Sequence, residues 1–305
     1  MATLTELDRI AIAVLVIYIP SLFIAIFLAL RHGFGRNAGW LYLVLFSLAR
    51  IIGSAFQIAT INDRTNISLI VGAVILQGIG ISALVLVMLG LVGRVLEGIR
   101  NSRYNSLIVT PTHLRLVQTI VVVGLILGIV GGSSLSKAFS DPTKPYQIPT
   151  ESKAGLALII VGYGIIILVT LVAASHMSAV EPGEKRILLA IAVALPFVLV
   201  RIVFSGESTF GGNPDFRSFG GSAKYPDYYL GMAVIMEMVV VAIFEGVGLT
   251  LQKAKASPAG QKDTESGVVM SEGVTAGGSG GRRTLRAERR ARRGGIIRHL
   301  LAARN

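Results

Sequence analysis

Long apolar runs, broken by short polar stretches, fill the first 250 residues of the chain. Seven of them reach the length of about 20 residues that a helix needs to cross a bilayer core, where backbone groups find no partner outside the helix. They are Ile10–Leu30, Gly39–Ile61, Ile67–Gly93, Leu114–Leu135, Ala154–Ser175, Arg186–Phe204 and Leu230–Leu251. The pattern predicts an all-α protein, a polytopic membrane bundle of seven transmembrane helices over residues 1–251. Pro196 inside the sixth run predicts a kink. The first run is too long for the apolar part of a signal peptide, and Glu6 and Asp8 stand where basic residues would precede one. It reads as a retained span.

Two stretches do not follow this pattern. Ser205–Tyr229 is the longest loop between spans and carries Phe210, Phe216, Phe219, Tyr225, Tyr228 and Tyr229. Such a loop either folds back over the bundle or forms an interfacial aromatic belt. Beyond Leu251, residues 252–281 are rich in Gly, Ser and Thr and read as a disordered linker. Residues 282–305 then place Arg282, Arg283, Arg286, Arg289, Arg290, Arg292 and Arg293 ahead of Ile296, Ile297, Leu300 and Leu301, which share one helical face. A basic amphipathic tail of this kind is expected on an anionic cytoplasmic leaflet, with membrane lipids as its partner.

Composition sharpens the picture. Hydrophobic residues make up 52% of the chain and charged ones 15%, against roughly 25% charged in a soluble domain. Cysteine is absent, which removes disulfides and thiolate–metal sites. The net charge of +12 would suggest nucleic acid, but residues 252–305 hold 12 Lys/Arg against 4 Asp/Glu, or +8 of that total. The charge is mostly a tail, and no nucleic-acid partner is expected. Lys and Arg also orient the bundle. The side with the amino terminus carries 7, the other side 8 in its loops and flanks and 20 with the tail. The amino terminus is therefore expected outside and the carboxyl terminus in the cytoplasm.

Ionisable side chains inside spans cost about 2.5–3.5 kcal/mol each on the insertion scale and mark functional positions by default. There are four: Arg50, Arg201, Glu237 and Glu245. Ser54 and Gln57 share the Arg50 face at offsets of four and seven. At 1.5 Å rise per residue, the four lie roughly 16, 5, 10 and 22 Å below one surface, in the order just given. Arg201 with Glu237, and Arg50 with Glu237 or Glu245, are the pairs this allows. The cluster reads as a site for an anionic or zwitterionic small ligand, or as an ion-pair latch fixing helix register. Gly124, Gly128 and Gly132 make overlapping GxxxG patterns, suited to close helix packing within the bundle or to dimerisation. The string Val161–Gly164 reads VGYG but lies inside an unbroken span, unlike a potassium filter. Asn66-Ile67-Ser68 is a glycosylation sequon that abuts the membrane. His32, His113 and His176 lie at span ends without paired metal-ligand spacing. No nucleophile–base set, cofactor motif or metal site is legible, so no enzyme is expected.

The strings WLYLVLFSLARIIGSAFQIAT (Trp40–Thr60) and LPFVLVRIVFS (Leu195–Ser205) resemble those of fungal seven-helix membrane proteins grouped as a domain of unknown function. The resemblance runs over residues 5–250 and implies Arg50 and Arg201 as pattern positions, with no assigned activity. More remotely, the layout is similar to RTA-like lipid-translocating exporters and to Pth11-like receptors. Pth11-like proteins usually carry outer cysteines, which this chain lacks. Two functions follow as expectations: a receptor or sensor with a ligand near the outer half of the bundle and a cytoplasmic partner, or a lipid or amphiphile transporter.

Overall fold

The computed structural model describes residues 4–32, 39–101, 110–139, 148–177, 182–217 and 222–251. The tail, read above as linker and basic amphipathic segment, lies outside them, as does Phe219. Seven helices are long and apolar enough to cross a membrane. We number them α1 (Glu6–His32), α2 (Gly39–Ala59), α3 (Ile67–Asn101), α4 (Pro111–Phe139), α5 (Thr150–Ser175), α6 (Pro182–Phe210) and α7 (Tyr225–Thr250). Each expected span falls on one of them.

All the helices except α2 run past their apolar stretches at one end or both, because hydrogen bonding within a helix continues into polar sequence, while hydropathy does not. Local signals then end them. Thr5 and Asp8 cap α1 reciprocally: the Thr5 amide donates to Asp8 Oδ2 at 2.9 Å and the Asp8 amide to Thr5 Oγ1 at 3.4 Å. Asn66 Oδ1 accepts from the Leu69 amide at the start of α3, so the sequon asparagine serves as a cap. Pro111 and Pro182 open α4 and α6.

The same continuation corrects the aromatic loop. Ser205–Phe210 complete α6 and Tyr225–Tyr229 begin α7, so the connection is 211–224. Leu230–Val234 form one π-helical turn within α7. Phe216, Tyr225 and Tyr229 lie 5.8, 6.3 and 6.2 Å from Phe204, ring centre to ring centre. With Leu7 and Ala233 they form a small apolar cluster at this end of the bundle, the fold-back arrangement.

Helix α3 is the central element and packs against α2, α4, α5 and α6, while α1 packs on α2 and α7. The GxxxG glycines work within the bundle. A methyl group on Gly124 would stand 2.8 Å from the Gly155 carbonyl of α5, and one on Gly132 would stand 2.5 Å from Ile75 of α3. Tyr163, from the VGYG string, is buried and donates to the Leu195 carbonyl beside Pro196 at 2.8 Å. At the other end of the bundle, His32 stacks on Trp40, whose ring leaves no room for a side chain at Gly248.

Candidate functional site

Three helices deliver the central charges. Arg50 from α2, Arg201 from α6 and Glu237 from α7 are 4%, 2% and 1% exposed. Arg201 Nε donates to Glu237 Oε1 at 2.6 Å, and Arg50 Nη2 donates to the same oxygen. One carboxylate thus bridges two guanidinium groups. Arg201 Nη1 also donates to the Ser205 hydroxyl and Nη2 to the Gln77 carbonyl, which uses three of its five N–H groups. Each arginine also lies near an aromatic face, Arg50 5.5 Å from the Phe46 ring centre and Arg201 5.7 Å from that of Phe204.

The sequence placed these four ionisable groups in one cluster of two cations and two anions. The structure corrects the membership. Glu245, two turns further along α7, is buried and accepts from Ser21 Oγ of α1 at 2.5 Å; Ser21 lies 3.5 Å from Ser47 of α2. Glu245 has a hydroxyl partner, and Arg50 is paired with Glu237. The cluster that remains has a formal charge of +1, two arginines against one glutamate.

Gly80 of α3 was not singled out by the sequence reading, yet it shapes the site. A methyl group there would stand 2.6 Å from Arg50 Nη2 and 3.0 Å from Cζ. The guanidinium therefore lies flat against the α3 backbone, in space only a glycine leaves. A glycine inside an apolar span gives no local sign of which face it turns toward a charge.

Arg50 also lines a cavity of about 220 Å³ among α1, α2, α3 and α7, at the end of the bundle that holds the amino terminus. Ser54, Gln57, Gln77 and Tyr229 supply its polar walls, and Ala49, Ala73 and Val74 are among the apolar ones. Arg50 Nε is buried and has no hydrogen-bond partner among the described residues. Arg64 lines the cavity from the α2–α3 connection, and Asp8, fully buried, accepts from Arg64 at 2.8 Å and from Gln57 Nε2 at 3.2 Å. Asp8, read from sequence as a charge preceding the first span, is thus both helix cap and cross-link between α1, α2 and the α2–α3 connection. That connection is itself held by Asp63, whose carboxyl is kept below its ordinary range by the Thr65 hydroxyl and backbone amide.

A family model for a domain of unknown function (DUF7702) matches residues 4–254. The chain belongs to that family, and the match covers all seven helices and every residue of the buried cluster. No curated protein and no solved structure matches the chain.

Proposed function

We propose that this membrane protein is a receptor or sensor that takes a small anionic or zwitterionic ligand into the cavity beside Arg50. The observation that carries the reading is a buried cluster with one positive charge in excess, one of whose arginines lines the cavity and keeps a buried Nε without a hydrogen-bond partner among the described residues. An uncompensated cation in a low-dielectric interior is costly, and an anion in the cavity supplies the missing charge. Size separates this reading from lipid translocation. Drug-sized ligands occupy cavities of about 300–1,000 Å³, and this one is smaller at about 220 Å³. It suits a compact head group, not a two-chain lipid. The remote similarity to Pth11-like receptors points the same way, and that to RTA-like exporters keeps translocation as the alternative.

Butane-1-sulfonate is a suitable probe, because it stays charged and partitions little into lipid. Isothermal titration of the protein in phosphatidylcholine nanodiscs should show it bound, and butan-1-ol not bound. Ala73→Leu, which fills the cavity without touching the cluster, should abolish binding in this cavity and so lower the number of sulfonates bound. Equal binding of the alcohol, or sulfonate binding indifferent to Ala73→Leu, would refute the site.

A further inference from the structure

A second cavity of about 170 Å³ lies among α3, α4, α5 and α6. Its largely apolar walls carry four hydroxyls at the end of the bundle, those of Ser152, Ser205, Ser208 and Thr209, with Arg201 beside them. Gly78 and Gly128 also line it, and a methyl group on either would meet nothing within 4 Å. Packing alone therefore does not explain those two glycines, as it does Gly124 and Gly132. Space lined by hydroxyls and a guanidinium suits a polar occupant, whereas an apolar void stays dry.

The two cavities meet at a thin wall. Val74, Gln77 and Tyr225 line both. Gln77 Nε2 donates to the Tyr225 hydroxyl at 3.4 Å, and the Gln77 carbonyl accepts from Arg201 at 3.4 Å. Behind that wall the two arginines, one for each cavity, converge on a single oxygen, Glu237 Oε1. Their shared excess is one positive charge.

We infer that the cavity among α3, α4, α5 and α6 is a second site for a small organic monoanion, held by Arg201 and the serine hydroxyls, and that the two sites disfavour joint occupancy. The second site stands on its own lining; only the coupling rests on the reading of the Arg50 cavity as an anion site. Its logic is charge balance. One anion, in either cavity, brings the cluster to neutrality. A second leaves a net negative charge buried in the same low-dielectric space, with no cation left to meet it. An anion on one side also competes with Glu237 for its arginine, leaving the carboxylate to the other arginine. Binding at one site should therefore weaken binding at the other by about tenfold, within the usual span of coupling between sites.

The test is isothermal titration of full-length protein in phosphatidylcholine nanodiscs with butane-1-sulfonate. Wild type should bind one equivalent tightly and a second about tenfold more weakly. Ala73→Leu should keep one equivalent, in the second cavity, and Gly128→Leu one equivalent in the first. The double variant should bind none. Gly78→Leu fills the second cavity from another helix and replaces Gly128→Leu if that variant loses its native melting transition. If neither glycine substitution changes the titration of Ala73→Leu, the second site is refuted. Two equivalents of equal affinity in wild type would refute the coupling. If Ala73→Leu leaves binding intact and Gly128→Leu removes all of it, the first site fails and the second stands. No binding by any form overturns both.

Discussion

At the scale of the residue, the cluster's behaviour turns on which member can shed its charge. A carboxylate left without a cation can protonate, but a guanidinium cannot lose its proton in a protein. Glu237 serves two arginines, so Glu237→Gln strands both. Breaking a buried pair from one side costs about 3–5 kcal/mol, and Glu237→Gln should lie at the upper end of that range. Arg50→Leu and Arg201→Leu should each cost less, because the other arginine still answers the carboxylate. Arg50→Leu combined with Glu237→Gln should recover only part of the loss, since Arg201 is still left unpaired. Chemical unfolding of the purified variants in detergent reads the order directly. A double variant as stable as wild type would show that Arg201 does not share the carboxylate. A meeting of Arg50 with a carboxylate of α7 was legible in sequence because the spans contain only two carboxylates, but the rise per residue puts both about 6 Å from its depth and left Glu237 and Glu245 equally open. Ser21 as the partner of Glu245 was not legible. A serine in a helix can satisfy its hydroxyl on its own backbone, as Ser47 does with the Leu43 carbonyl at 3.0 Å, so its presence signals nothing.

At the scale of the element, the seven spans were legible because a bilayer imposes one length and one composition on each. Their ends were not, because α3 continues through Arg94 and Arg100 to Asn101 on backbone bonds that hydropathy does not register. The start of α7 was hidden for a related reason. Tyr225–Tyr229 read as an aromatic loop, but they form the first turn of a helix whose π turn sits just before Glu237. Such turns carry one extra residue and recur near functional sites. The glycines of α4 left intramolecular packing and dimerisation open, and geometry favours packing within the bundle. A methyl group on Gly155 would come within 2.6 Å of the Gly124 carbonyl and 2.9 Å of the Gly128 amide, both backbone atoms that cannot turn aside. Gly155→Ala should push α4 and α5 apart and cost about 1–3 kcal/mol, as overpacking does. Its oligomeric state should match that of wild type. Light scattering with a parallel unfolding series separates the outcomes, and loss of a dimer at unchanged stability would reverse the assignment.

At the scale of the whole molecule, the cavity beside Arg50 opens toward the end that carries the amino terminus, so the side on which that end lies decides where a ligand comes from. Charge supplies the expectation: 7 Lys/Arg on the amino-terminal side against 20 on the other when the tail is counted. Without the tail the numbers are 7 and 8, nearly balanced, so the tail settles the direction. The chain has no cysteine, and each introduced thiol is therefore a clean reporter. Asn62 sits beside the cavity-lining Arg64 in the α2–α3 connection, and Thr112 sits in the first turn of α4 at the opposite end; both are exposed. A membrane-impermeant maleimide applied to intact cells should label Asn62→Cys at once and Thr112→Cys only after permeabilisation. Neither position contacts the cluster, so both variants should fold normally. Removing residues 252–305 tests the charge argument itself. If the tail sets the direction, the truncated chain should give a mixed labelling pattern, because the remaining loops hardly favour either side. Labelling of Thr112→Cys in intact cells carrying the full chain would invert the topology and place the entrance to the cavity in the cytoplasm. A ligand for that site would then be an internal metabolite, and the protein would report on the state of the cell, not its surroundings.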